Sequence, residues 1–241
     1  MVSKLLGIVF IVSGFLEIII PIILGLYIIR KFGTSWRNWF VGALMFILSL
    51  IRLPLNAFAT QLVVSSSTGS LTYILVLLIP VLAAGVFEET ARYVGLKYII
   101  KNDTYETGLT YGAGHGGIES ILLVGFNVLF VGIFILSKPQ LLSPVLIQAL
   151  NVMPTYFPLI GVYERLIAMT AQIGFSLMVM ISIKNNDLRY FILAIGLHAF
   201  FDYLAIAVVD YSIVASEMLL TVFVLGQGYW LSRIIKTESI K

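Results

Sequence analysis

The chain has no cysteine, which rules out disulfides, thiolate metal sites and a cysteine nucleophile. Charge is scarce: Asp, Glu, Lys and Arg make up 11% of the 241 residues, where soluble domains carry about 25%. Histidine occurs twice. Long apolar runs occur without the strict alternation of a membrane strand, and that excludes a β-barrel. A net charge of +3 is too small for a nucleic-acid footprint, and its lysines and arginines sit in loops. What remains is apolar. Hydrophobic residues reach 60% and mean hydropathy is +1.04, leaving no room for a sizeable water-soluble domain.

The apolar excess is segmented into runs of about 20 residues, the length a helix needs to cross a hydrocarbon core. Lipid offers the backbone no hydrogen-bond partner, so these runs are helices. The spans are placed at 5–29, 38–58, 72–99, 108–136, 162–183, 190–209 and 212–232. This is an all-α, seven-helix, multi-pass bundle forming one membrane domain over residues 1–241. The first run is too long for a signal h-region and reads as a retained helix. Arg30, Lys31 and Arg37 follow the first span, Lys97 and Lys101 close the third, and Lys184 and Arg189 follow the fifth. Arg233, Lys236 and Lys241 follow the seventh, whereas the alternate connections are nearly bare of positive charge. The positive-inside rule then puts the N-terminus outside and the C-terminus in the cytoplasm of a cell-membrane protein. Residues 137–161 hold Pro139, Pro144, Pro154 and Pro158 and are expected to form an interfacial or re-entrant segment.

Ionisable groups at membrane depth cost about 2.5–3.5 kcal/mol each on insertion scales. They concentrate in three places: Glu88-Glu89-Thr90-Ala91-Arg92, the glycine-rich stretch from Gly112 through His115 to Glu119, and His198 with Asp202. Each histidine has a carboxylate four positions later, on the same helical face. Glu88 precedes Lys97, and His198 follows Arg189, by nine residues, or ~13 Å along a helix. His115 lies at a similar depth past the loop around Glu106. Three groups at one depth point to one shared site. The glycines at 108, 112, 114, 116 and 117 let helices approach closely, bringing His115 towards the third span.

Together, a Glu-Glu-x-x-Arg helix, a Gly-x-Gly-His-Gly-Gly-x-Glu helix and a His-x-x-x-Asp helix resemble the YhfC-type intramembrane peptidases, relatives of the CAAX prenyl-protease and bacteriocin-processing membrane proteases. The resemblance implies that Glu88 is the general base, His115 its partner in activating water, and His198 with position 202 the electrophilic side. This sequence departs from the prenyl-protease pattern twice. Two residues rather than three separate Glu89 from Arg92, and Asp202 stands where asparagine is common. An ionised aspartate cannot donate to an oxyanion, so Asp202 must be protonated or must orient His198.

Peptide hydrolysis needs an activated water and a group to hold the developing negative charge. Glu88 is read as the reactive carboxylate and Glu89, kept ionised by Arg92, as its structural companion; the opposite assignment of the pair stays open. Glu119 is expected to orient His115. A zinc version with Glu88, His115 and His198 as ligands has the right donor types, but no His-Glu-x-x-His run is present, and a metal-free glutamate mechanism without cofactor is favoured. The substrate is a membrane-associated polypeptide reaching the site from the bilayer. Two other readings stand beside this one: a proton- or ion-coupled transporter, built on the same intramembrane groups, and a non-catalytic membrane scaffold. Structural roles are expected for Glu17, Arg52 and Asn56, a snorkelling position for Glu164 and Arg165, and interface anchoring for Trp36, Trp39, Tyr98, Tyr105, Tyr229 and Trp230.

Overall fold

The computed structural model describes residues 2–238; Lys241, counted above among the inner-face charges, lies outside them. Among the described residues the chain is helical throughout. Helices α1 (Lys4–Phe32), α2 (Trp36–Ser49), α3 (Arg52–Ser66) and α4 (Ser70–Val94) are followed by α5 (Tyr105–Glu119), α6 (Phe126–Ser137) and the short α7 (Pro144–Val152). Then come α8 (Phe157–Lys184), α9 (Leu188–Val209) and α10 (Ile213–Glu238). Seven segments are long and apolar enough to cross a membrane, and they match the seven expected spans to within several residues at their ends.

Three of these segments are interrupted near the polar residues. The second span breaks at Leu50–Ile51, where Leu50, Ile51 and Leu53 each bond to a carbonyl three positions back. Pro54 then lacks the N–H that would continue the ladder, and the chain restarts as α3 with Arg52 in its first turn. α4 runs into a π-helical segment, Gly95–Ile100, and α5 into another, Ser120–Gly125. Single π turns place side chains that a regular helix would aim elsewhere. Both begin within a turn or two of the carboxylates of α4 and α5.

α8 is the axle. In its membrane window 78% of the residues are buried, against 17–39% in the other six spans. Phe175, Met178, Val179, Met180 and Ile181 are fully enclosed by α5, α9 and α10. α5 lies between α2 and α8, and glycine makes that possible. A Cβ on Gly114 would stand 1.9 Å from the backbone oxygen of Trp39 in α2, and one on Gly112 would stand 2.6 Å from Cα of Ile173 in α8. Gly85 plays the same part between α4 and α9, where its Cβ would meet the Ile195 carbonyl at 2.5 Å. These contacts bring α4, α5, α8 and α9 together around one volume. α7 follows the 3₁₀ turn Pro139–Leu141 and is capped by Ser143, whose side chain accepts from the Leu146 amide. It leaves Val145 and Val152 about 80% exposed in the connection between the fourth and fifth spans.

Candidate functional site

Adjacent residues on a helix point about 100° apart, so Glu88 and Glu89 serve different neighbours. Glu88 turns towards α3 and α5. Its Oε1 accepts from Nη2 of Arg52 at 2.6 Å, and its Oε2 lies 3.1 Å from His115 Nε2. Glu89 turns towards α8 and α9. It accepts from Arg92 Nη1 at 2.9 and 3.1 Å, and its Oε1 lies 2.7 Å from His198 Nδ1. All five of Glu88, Glu89, Arg92, His115 and His198 are at most 2% exposed.

The two imidazoles are held differently. His198 stacks on Phe175 with centroids 4.7 Å apart and planes 10° from parallel, and Glu89 fixes the other coordinate of its ring. With the proton of Nδ1 given to Glu89, Nε2 faces the gap between Glu88 Oε2, at 3.7 Å, and Asp202 Oδ2, at 3.8 Å. His115 packs edge-on against Phe46 at 5.2 Å. Its Nε2 faces Glu88, while its Nδ1 is buried without a partner. Glu119 does not reach that ring, contrary to the expected orienting role; its Oε2 accepts from Gln172 Nε2 at 2.8 Å and its Oε1 lies 3.4 Å from Arg165 Nη1.

Gln172, on α8, is the hub that sequence reasoning missed. Its Oε1 accepts from Arg92 Nη2 at 2.5 Å, and Nε2 is directed at Glu119 and, at 3.4 Å, at Glu88 Oε2. Because Arg92 can only donate, the orientation of the amide is fixed. Each of the three glutamates of the cluster has its own guanidinium: Arg52 for Glu88, Arg92 for Glu89, Arg165 for Glu119. Three charges of each sign explain how the cluster is tolerated inside an apolar bundle. Arg165 also binds Glu164, so this arginine turns inward to the cluster rather than snorkelling outward. Arg52 likewise belongs to the site and not merely to the scaffold.

The structure therefore brings together all the residues singled out as candidates, on α4, α5 and α9, and adds Arg52, Arg165 and Gln172. Gln172 is the one amide side chain in the most enclosed span; a neutral amide between hydroxyl residues and without a charged neighbour gave no stronger signal. Trp39 departs from the interface role expected of it. It is 5% exposed and packs against Gly25 and Gly117. Glu17 is buried on α1 with neither carboxylate oxygen bonded.

The donor types present, two imidazoles and several carboxylates, suit Zn²⁺. Their arrangement does not. No three of these groups among the described residues are set to hold a metal ion. The negative charge of Glu88 is already matched by Arg52 at 2.6 Å, and a dication on Glu88 would face that guanidinium. His115 Nδ1 lacks the outer acceptor that usually steadies a metal-bound imidazole.

Comparison with known proteins gives a consistent picture. The sequence model of the family described as YhfC intramembrane metalloprotease matches residues 16–224. The chain is 29% identical over 252 residues to the uncharacterized membrane protein YhfC of Bacillus subtilis (strain 168), covering 96% of this chain and 97% of that one. No solved structure matches.

Proposed function

This chain belongs to the YhfC intramembrane metalloprotease family and is a multi-pass membrane protein, and from that premise we propose that it is an intramembrane peptidase working through a glutamate-activated water. The observation that carries the reading is the convergence of Glu88, His115 and His198: both Nε2 atoms lie within 3.7 Å of one carboxylate oxygen. A polypeptide segment enters from the bilayer, and Glu88 takes a proton from water as its oxygen attacks the scissile carbonyl. His115 Nε2 orients the Glu88 carboxylate by donating to Oε2. Held by Glu89 and Phe175, His198 presents Nε2 on the electrophilic side, and Asp202 orients that ring from one helical turn away. Arg92 and Gln172 fix Glu89 and the carboxylate pair in register, so the site reacts without rearranging its own dipoles.

The chain is oriented with its C-terminus in the cytoplasm, which puts the reacting groups nearer the inner face. The metal-free form of the mechanism rests on the guanidinium already paired with Glu88. The family description names a metalloprotease, so the test must address both forms. Purified protein in lipid nanodiscs is incubated with a library of single-span peptides, with and without chelator, and products are read by mass spectrometry. Glu88→Gln, His115→Ala and His198→Ala are each expected to lose cleavage while the parent cuts in chelator. Equal cutting by all three variants refutes the peptidase; loss in chelator restored by zinc refutes the metal-free form.

A further inference from the structure

Asp202 raises a chemical difficulty. Ionised, it offers no hydrogen to the oxyanion that forms on the substrate carbonyl. His198 Nε2, 3.8 Å from Asp202 Oδ2, is then a single donor, and one only in the imidazolium form, since Nδ1 already donates to Glu89. A second donor is present on the other side of Glu88. Arg52 spends Nη2 on Glu88 Oε1 at 2.6 Å, while its Nε hydrogen is buried and unpartnered. An unspent donor on a cation costs stability at this depth unless an acceptor arrives. The side chain is 12% exposed, and Asp202 beyond it is 31% exposed, so these two residues mark the rim over which a substrate reaches Glu88. Glu88, Glu89, Arg92, His115 and His198 are sealed, while the Glu119 and Arg165 side chains are each 16% exposed.

The setting of Arg52 differs from that of its neighbours. Arg92 also carries an unpartnered Nε but is enclosed on all sides, out of a substrate's reach, and bonded to Glu89 and Gln172. Arg165 is committed to Glu164 and Glu119. Arg52 begins a helix that buries none of its own residues and packs against α4, just after the break at Leu50–Ile51. A guanidinium in that position can shift by the length of one hydrogen bond without disturbing the core.

We propose that Arg52 is a catalytic residue that receives the carbonyl oxygen of the scissile bond. This rests on the peptidase reading above. On substrate entry the guanidinium turns its free N–H groups to the carbonyl oxygen and yields Glu88 Oε1 to the attacking water. The water oxygen forms a bond to the carbonyl carbon, its proton passes to Glu88, and the π electron pair moves onto the oxygen held by Arg52. Collapse returns that pair to the carbonyl, the C–N bond breaks, and the proton on Glu88 leaves with the amine. Glu88 returns to a carboxylate that again pairs with Arg52, and no oxidant or further reactant is needed. The same residue thus neutralises the base between turnovers and the oxyanion during them.

The test compares the parent, Arg52→Met and Arg52→Lys in nanodiscs on the single-span peptide that the parent cuts best. Removing one oxyanion donor typically lowers kcat by about 10²–10³. Arg52→Met is expected to lose at least that, with KM within about threefold of the parent. Arg52→Lys, which keeps the charge but not the fork, is expected to fall between the two. Arg52→Met removes the cation paired with the buried Glu88 carboxylate, so its unfolding midpoint is expected to fall. Turnover is therefore compared well below each variant's midpoint, and Arg52→Lys, which keeps the charge, should unfold closer to the parent. Guanidinium ion added to an Arg52→Ala variant should restore part of the lost kcat, which a purely structural arginine would not show. The proposal is overturned if Arg52→Met turns over at the parent's rate, or if KM rises with kcat unchanged. It also falls if Arg52→Lys unfolds no more readily than the parent and yet shows full kcat. A parent that cuts nothing sinks the peptidase reading itself, an outcome distinct from a parent that cuts and an Arg52 variant that cuts equally well.

Discussion

Replacing Gly114 by alanine should harm both the fold and the site. The added Cβ would lie 1.9 Å from the Trp39 oxygen, 2.6 Å from its carbonyl carbon and 2.8 Å from its Cα. Ordinary contact begins at 3.4 Å, and every atom in the way is backbone, so no rotamer change relieves the clash. α2 and α5 must part by roughly 1.5 Å, an overpacking that costs about 1–3 kcal/mol, with the upper end expected for backbone. His115 is the next residue, and its Nε2 sits 3.1 Å from Glu88. A misplacement of about 1 Å in a catalytic group lowers rate by about 10²-fold. The assay is denaturant unfolding in micelles followed by circular dichroism, with peptide cleavage measured in parallel. Gly196→Ala is the control, because a Cβ there meets nothing within 4 Å. Equal stability of Gly114→Ala and Gly196→Ala would refute the packing of α5 against α2 that positions His115.

Four further outcomes follow from the same geometry. Glu89→Gln and Arg92→Met should each destabilise by about 3–5 kcal/mol, because each leaves a buried charge unpaired; the double variant should lose much less than the sum, as an unfolding cycle will record. Gln172→Leu removes the acceptor of Arg92 and the donor to Glu119, and is expected to cost about 1–3 kcal/mol in the same unfolding measurement. Glu17→Met replaces a buried carboxylate that has no hydrogen bond and should raise stability by about 1–3 kcal/mol. Because the chain has no cysteine, Thr68→Cys and Asn186→Cys give single labelling sites. An impermeant maleimide should reach the first in intact cells and the second only after permeabilisation, and the reverse pattern would invert the proposed orientation.

Much of this architecture is legible in the sequence because lipid imposes few solutions. Apolar runs of span length and the cost of buried charge are enough to find the seven helices and to place Glu88, His115 and His198 at one depth. Residues whose role depends on direction rather than depth are harder. Arg165 lies where snorkelling suffices, and only the packing of α8 against α5 reveals that it turns to Glu119. Arg52 announces itself as a charge beside Pro54 within a span, but its bond to Glu88 needs the break at Leu50–Ile51. The helical spacing of His115 and Glu119 suggests a direct contact, yet Glu119 is drawn to Gln172 instead. Both residues lie in the regular helix α5, so spacing alone does not decide the contact; the amide of Gln172 and the guanidinium of Arg165 on α8 do.

The central claim is that the Glu88 carboxylate activates water for peptide hydrolysis. It is tested most directly by incubating the parent and Glu88→Gln, in nanodiscs, with a cleaved single-span peptide in ¹⁸O-labelled water. The account expects one ¹⁸O atom in the new carboxyl terminus of the parent's product, and a fall of several orders of magnitude in that product for Glu88→Gln, assayed at a temperature where circular dichroism shows it folded. Labelled product formed by Glu88→Gln at the parent's rate would contradict it.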